Sequence, residues 1–427
     1  MKKMVLVIAM LMTFSLFLTG CSSQSASSGT ETNSGNGKVV TLTLYSDMSS
    51  DESKTMDKVI ADFEKANPDI KINSNYPGTN YENLLRVKMA ANKMPDLFDT
   101  HGWSQLRYGN YVEDQSKMDW VKNLDPAMKP ILEDKNGKVY AYPLNEAKDG
   151  ITYNATLLKK YNIAPPTNLA DFIKALETIK QKSNGSVTPL WIAGGDKYPI
   201  GQVFDQMATP FLITDSSHND GQSLLDGSFD WSKYTPVAQM LKDLKDKGLL
   251  NQDVLTAKGT QANQLMAQGK IGFAFINGSI GPEATKLNPN VKVGLIPTPA
   301  VYSTDQPSFI GGERYTYAIW KDSPYKKQAE KFIEFLAQPK YVKELAETTS
   351  LPAGLTSADV NNYYADYYKQ FSTVKVQPYF DRLYLPSGMW DVMGNTGQQL
   401  LSGTMTADQV SQKMGQEDAR LRKQTSK

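Results

Sequence analysis

From Val39 onward, strand-like and helix-like segments alternate, and this narrows the choice of fold more than any other feature of the chain. Val39-Val40-Thr41-Leu42-Thr43-Leu44-Tyr45 alternates in polarity and is rich in β-branched residues, the pattern of a strand. Asp51 to Ala66 carries Met56, Val59, Ile60 and Phe63 at helical spacing and is stopped by Asn67-Pro68. Ile70 to Tyr76 reads as a second strand, Tyr81 to Asn92 as a second helix, and Met94 to Asp99 opens a short third strand. This order predicts an α/β fold with a mainly parallel sheet and crossover helices. Ligand-handling groups on such sheets collect at the carboxyl ends of the strands. That rule puts Tyr45-Ser46-Asp47 and Asp99 to Trp103 on one rim.

A second α/β set follows. Tyr140 to Leu144 and Gly150 to Asn154 read as strands, 168–183 as a helix and 187–192 as an apolar strand. Helices are expected over 203–211, 234–247 and 262–268, then strands over 271–276 and 315–320. A helix over 323–337 and three more near 358–370, 389–401 and 407–421 finish the chain. There is no internal repeat.

The N-terminus has a different character. Met1-Lys2-Lys3 is a short basic stretch, Met4 to Leu18 is apolar, and Leu18-Thr19-Gly20-Cys21 supplies small residues before a cysteine. The apolar run is shorter than the roughly 20 residues a spanning helix needs, so residues 1–20 read as a cleaved signal. Leu-Thr-Gly-Cys resembles the bacterial lipobox, which implies a lipid on Cys21 and an anchor on the extracytoplasmic face of the membrane. Residues 21–38 are mostly Ser, Gly, Thr, Asn and Gln with no aliphatic side chain larger than Ala26, the composition of a flexible tether. Cys21 is the only cysteine, which excludes an intrachain disulfide and a thiolate metal site. The 46 basic residues, less Lys2 and Lys3, nearly balance the 45 acidic ones. A body so close to neutral has no electrostatic reason to bind nucleic acid or an anionic surface.

Several stretches, in order, carry a resemblance. They are Phe63 to Ile72, Met94-Pro95-Asp96-Leu97-Phe98, Tyr142-Pro143-Leu144 followed by Gly150 to Asn154, Met266 to Phe273 with Asn277-Gly278-Ser279, Gly294-Leu295-Ile296-Pro297, and Gly311-Gly312 through Ala318-Ile319. Together they resemble the bacterial extracellular solute-binding proteins of family 1, which include the maltodextrin-binding proteins. The resemblance implies a periplasmic-binding-protein-like clamp of two lobes joined by a multi-strand hinge. The N-terminal lobe would be 39–146 plus 312–350 and the C-terminal lobe 150–300 plus 355–427. It also implies the lipoprotein component of a carbohydrate ABC transporter. Such a component is a monomer that takes an oligosaccharide, closes over it and passes it to a permease, with no cofactor, no metal and no catalytic residue.

A sugar ring has apolar C–H faces that stack on aromatic rings and a rim of hydroxyls that need planar donors and acceptors. Candidates are therefore aromatics and planar polar groups at strand ends. Trp103 stands beside Asp99 and His101, although core packing is the alternative for a lone Trp. Trp191 lies inside an apolar strand and reads as core, whereas Asp196 and Tyr198 in the loop after it are rim candidates. Asn277 falls on the family's cleft segment, but Ile280 stands where the family often has an aromatic. Glu313-Arg314-Tyr315 follows two glycines that allow close backbone approach. Trp390 begins a helix that resembles the family's stacking segment, and Arg382 and Asp47 complete the set.

Three alternatives stand beside this reading. A surface-attached glycosidase needs two acids about 5–10 Å apart, and with 45 acids a pair is not excluded. No nucleophile elbow, zinc helix or phosphate loop is present, and His101 and His218 are the only histidines. Tyr363-Tyr364 and Tyr367-Tyr368 are similar to the paired tyrosines that ligate iron in other binding proteins. A peptide or a polyamine is the remaining class of ligand, the latter if Asp47, Asp99 and Glu313 converge.

Overall fold

The computed structural model describes residues 39–48, 50–275 and 280–425. The expected signal, tether, Cys21 and Asn277 lie outside the described residues. Twelve strands are present among the described residues. In chain order they are β1 (Val40–Tyr45), β2 (Ile70–Asn75), β3 (Leu97–Asp99), β4 (Tyr142–Pro143), β5 (Glu146–Asp149) and β6 (Ile151–Asn154). Then come β7 (Thr188–Trp191), β8 (Ile271–Ala274), β9 (Val293–Ile296), β10 (Phe309–Glu313), β11 (Thr316–Ile319) and β12 (Val376–Pro378).

They form three sheets. The first lobe holds the order β2-β1-β3-β11-β4, the second lobe β7-β8-β6-β9, and between them lies a three-stranded sheet β12-β10-β5. Parallel pairing, as expected, joins β1 to β2 and β3, and β7 to β8. The strands that arrive from the hinge run the other way: β11 is antiparallel to β3 and β4, and β6 to β8 and β9. Both lobe sheets are thus mixed rather than mainly parallel. The reason is that a strand returning from the opposite lobe enters from the sheet's other end, so its direction is set by the crossing and not by a βαβ connection.

Each lobe has its own core. In the first, Leu42 and Leu44 of β1, Leu97 and Phe98 of β3 and Tyr317 to Ile319 of β11 pack against Met56, Val59 and Phe63 of the helix Ser50–Ala66 and Phe332 and Ile333 of the helix Lys326–Leu336. The ring of Phe63 meets those of Phe332 and Phe335 edge-on at 5.0 and 5.3 Å. In the second lobe the sheet is covered on both faces. Leu190 and Phe273 belong to one apolar cluster, and their strand neighbours Trp191 and Ala274 belong to another on the opposite side. The helix Leu169–Lys182 illustrates the local logic. Asn168 caps it by accepting from Asp171 N–H at 2.9 Å, and Phe172, Ala175, Leu176 and Ile179 form the buried face at i, i+3, i+4 and i+7.

The hinge sheet takes one strand from each of three separate stretches of chain. Glu313 pairs with Glu146, Gly312 with Ala147 and Gly311 with Lys148 across β10 and β5, while β12 runs parallel along β10's other edge. A Cβ on Gly311 would collide with the Ala147 carbonyl, so only glycine permits this approach. Pro378 ends β12, which suits an edge strand because proline has no N–H to donate.

Candidate functional site

A cleft of about 1010 Å³ opens between the lobes, lined by Arg314 and Tyr315 from one side, Tyr198 and Phe275 from the other, and Asp149 and Tyr379 at the hinge. Its aromatic surface is built by the second lobe. Tyr198 starts the helix Tyr198–Leu212 and is 55% exposed, unusual for a ring of its size. One face of it is covered by Trp390, second residue of the helix Met389–Ser402, at a centroid distance of 5.0 Å and an interplanar angle of 36°. The indole is seated on Gly201, where a Cβ would lie 3.3 Å from Cε2. An aromatic pair held in this way presents a flat, preformed face that apolar C–H groups can stack on.

Polar groups run from this platform into the hinge. The Tyr198 hydroxyl donates to Gln202 Oε1 at 3.3 Å, and Gln202 Nε2 donates to Asp149 Oδ2 at 3.3 Å. The Tyr379 hydroxyl donates to that same oxygen at 2.8 Å. Burial raises the Asp149 carboxyl above its ordinary pKa, and Tyr379, Arg314 and Arg382 pull it back. The Arg382 guanidinium lies 4.0 Å over the Tyr379 ring and donates to the Glu313 carbonyl at 3.1 Å. Arg314 covers the ring of Tyr315 at 4.8 Å, and the Tyr315 hydroxyl donates to Glu52 Oε2 at 2.7 Å. Gln202, Tyr379, Phe275 and Asp149 were not among the sequence candidates.

Three sequence candidates sit in the wall behind the cleft. Glu313 is buried, and its carboxylate accepts from Thr100 Oγ1, Ser104 N, Ser104 Oγ and Thr316 Oγ1 at 2.7–3.1 Å. These four donors leave it little capacity for a ligand hydroxyl. Asp99 is fully buried at the end of β3 and accepts from His101 N–H at 2.9 Å and Thr316 N–H at 3.1 Å, tying β3 to β11. Burial pushes its carboxyl up to about 8. Trp103 belongs to the first core, with Arg107 stacked 4.0 Å over its ring. Of Asp47, Asp99 and Glu313, the acids offered for a polyamine, only Asp47 keeps a partly exposed carboxylate.

Asp47 lies 3.4 Å from His101 Nδ1, and burial raises its carboxyl to about 6 against the pull of Arg314 and Arg382. His101 takes a left-handed backbone with φ of 48°. Burial, helped by Arg382, Arg314 and Arg107, drives its pKa well below the ordinary value, so the imidazole is neutral. Asp196 borders the cleft, but its carboxylate is held by Gly259 N–H at 2.7 Å and Lys258 Nζ at 2.9 Å. Trp191 is core, as read. The four tyrosines offered for iron pack around Phe309 and Leu295, and burial raises the Tyr364 and Tyr368 phenols above their ordinary pKa. Among the described residues, no group of three or more His, Cys, Asp or Glu is arranged to hold a metal ion.

Residues 49–343 match the model of the family described as bacterial extracellular solute-binding protein. The chain belongs to that family. Solute-binding proteins of this kind work outside the cytoplasm and bind rather than transform their ligands, which sets the glycosidase alternative aside. The chain is 51% identical over 411 residues to the melibiose/raffinose/stachyose-binding protein MelE of Bacillus subtilis, covering 96% of this chain and 95% of that one. Among solved structures, a Bacillus subtilis binding protein in an open conformation shares 52% identity and a TM-score of 0.88 over 91% of this chain and 98% of its own. A Bacillus licheniformis sugar transporter in complex with stachyose shares 57% identity and a TM-score of 0.83 over 89% and 100%. The likeness covers both lobes and the hinge of this solute-binding protein.

Proposed function

We propose that the protein captures a short oligosaccharide of the melibiose, raffinose and stachyose kind in its interlobe cleft and delivers it to the permease of an ABC transporter. The observation that carries this reading is the exposed Tyr198 ring, backed by Trp390, in the lining of a cleft of about 1010 Å³. That volume is at the upper end of the roughly 300–1,000 Å³ of small-molecule pockets, roomy for one sugar ring and suited to several. The names of two relatives above half identity, one binding these sugars and one solved with stachyose, support the same class.

In this reading Trp390 and Tyr198 stack on ring faces, Tyr315 and Arg314 meet the ligand from the first lobe, and Asp47, Asp196 and Asn277 take hydroxyls at the rim. The rigid parts are 39–146 plus 312–350 and 150–300 plus 355–427. Closure is driven by the ligand's greater affinity for the closed form. A lipid on Cys21 keeps the monomer at the outer face of the membrane.

Thermal-shift and calorimetric titrations with melibiose, raffinose, stachyose and, as a control, maltotetraose test this. The expected result is a raised melting temperature with the first three, because a ligand specific for the folded form stabilises it. No shift with any of them, or the appearance of cleavage products, would reject it. Replacing Cys21 by Ala should release the protein into the medium; retention in the membrane fraction would reject the anchor.

A further inference from the structure

Arg107 belongs to the first lobe, in the segment after β3, and Ser387 to the second, directly before the Gly388 that opens the helix of Trp390. Arg107 Nη2 donates to Ser387 Oγ at 2.9 Å. The rest of the guanidinium is held by its own lobe. Nη1 is bonded to the Glu82 carboxylate, and the group lies 4.0 Å over the Trp103 ring and 5.8 Å from that of Tyr108. A guanidinium fixed by a carboxylate and an aromatic face keeps its remaining N–H in one direction, which a lysine ammonium does not do. Here that direction is across the gap between lobes.

The receiving end is equally specific. Gly388 has a left-handed φ of 104° and no side chain with which to cap the helix Met389–Ser402. The first turn, which contains Trp390, therefore takes its position from the Pro386-Ser387 loop, through Met389 N–H to the Pro386 carbonyl at 3.3 Å and through Ser387 to Arg107. That first turn sets the indole on Gly201 and against Tyr198.

We propose that Arg107 is a clasp between the lobes: its guanidinium, docked on Ser387, ties the lobes together and fixes the turn that presents Trp390 to the sugar. Arg107 is a positioning residue in this scheme, and Trp103 contributes by holding Arg107 flat. The inference rests on the oligosaccharide reading for its ligand, but the clasp itself is a property of the ligand-free protein as well.

The test uses the full mature chain and the variants Ser387→Ala and Arg107→Lys, with stachyose as ligand. Calorimetry and small-angle scattering are read side by side. Ser387→Ala removes the acceptor without changing charge and should raise Kd about tenfold, the scale of one charge-assisted hydrogen bond. It should also increase the radius of gyration of the ligand-free protein and leave that of the saturated protein unchanged. Arg107→Lys, whose single ammonium does not span Glu82 and Ser387 together, should move both readouts the same way. Combined with Trp390→Ala, Ser387→Ala should add less than its full loss, because part of its effect passes through the indole. Unchanged Kd and unchanged scattering in Ser387→Ala would overturn the clasp, as would a loss that adds in full to that of Trp390→Ala. Should the wild type bind none of the sugars, the functional reading falls, while the ligand-free scattering still decides whether the clasp exists.

Discussion

Tyr198 and Trp390 lie 5.0 Å apart, centroid to centroid, with their planes 36° from each other, and each is the anchor of a different helix of the second lobe. Removing either ring takes away half of a preformed platform. Trp390→Ala is expected to weaken oligosaccharide binding by about 1–3 kcal/mol, the scale of a lost aromatic hot spot. Tyr198→Ala should do the same to a smaller extent, and the double variant should lose less than the sum of the two, since the rings support each other. Titration calorimetry measures all three; an unchanged isotherm for Trp390→Ala would remove it from the site.

Gly201 gives a subtler perturbation. Its missing Cβ is the space the indole occupies, at 3.3 Å from Cε2. Gly201→Ala should raise helix propensity and push the indole outward, so stability is expected to change by no more than about 1 kcal/mol while affinity falls. Thermal unfolding and titration together separate the two effects. A variant with wild-type affinity would mean that indole position does not govern binding.

Glu313 is expected to matter for stability and not for contact with the ligand. Glu313→Ala would leave the donors of Thr100, Ser104 and Thr316 without their acceptor inside the wall. A loss of about 2–4 kcal/mol is expected from stranding several buried donors. Glu313→Gln, which keeps one acceptor oxygen, should lose less. Urea unfolding reads the difference.

A pair of carboxyls beneath the platform predicts a pH dependence. Asp381 N–H donates to Asp205 Oδ1 at 2.7 Å, and Asp205 Oδ2 and Asp381 Oδ1 are buried without a hydrogen-bond partner among the described residues. Burial, then the charge of Asp381, lifts Asp205 to about 8, and burial lifts Asp381 to about 7. Arg382 pulls both down; Asp149 pushes Asp205 up, and Asp391 and Glu82 push Asp381 up while Arg107 opposes them. Two such acids titrate as a unit. The folded chain keeps protons that the unfolded chain releases near its ordinary value of 3.8, so this contribution to stability is complete at low pH and is lost as pH rises through about 8. Asp205→Asn removes one of those protons from the balance. Its stability relative to wild type should climb between about pH 5 and about pH 8, by at most about 1.4 kcal/mol per pH unit, read as a rising difference in melting temperature. A flat difference across that range would contradict the assignment.

The parts of the fold legible in the sequence were those whose side chains alternate or recur every three to four residues. Strands β1 to β3 and the helix Ser50–Ala66 bury Leu42, Leu44, Met56, Val59 and Phe63 just where the pattern points them. The hinge strands carried no such pattern. Glu146-Ala147-Lys148-Asp149 and Phe309-Ile310-Gly311-Gly312-Glu313 become strands because three crossings bring them together, which is a property of topology. The helices Ile280–Leu287 and Pro339–Thr349 also went unread. At the site, Tyr198, Tyr315, Arg314 and Asp196 do line the cleft, while Asp99, Glu313 and Trp103 have the right residue types and strand-end positions but are enclosed by partners far away in the chain. Tyr379 was hidden among 22 tyrosines. The available signal was Pro378, a strand-ending residue directly before it and before Asp381-Arg382.

Strand β11 occupies the slot between β3 and β4, yet it is synthesised after all four strands of the second lobe's sheet. During export the leading half of the chain thus emerges with two sticky sheet edges exposed and no means of closing the gap. Its completion waits for residue 319, a long-range pairing that slows folding. A nascent chain of this design has to be protected from self-association until the missing strand arrives, and truncations anywhere upstream of β11 should yield aggregates instead of a stable half-molecule.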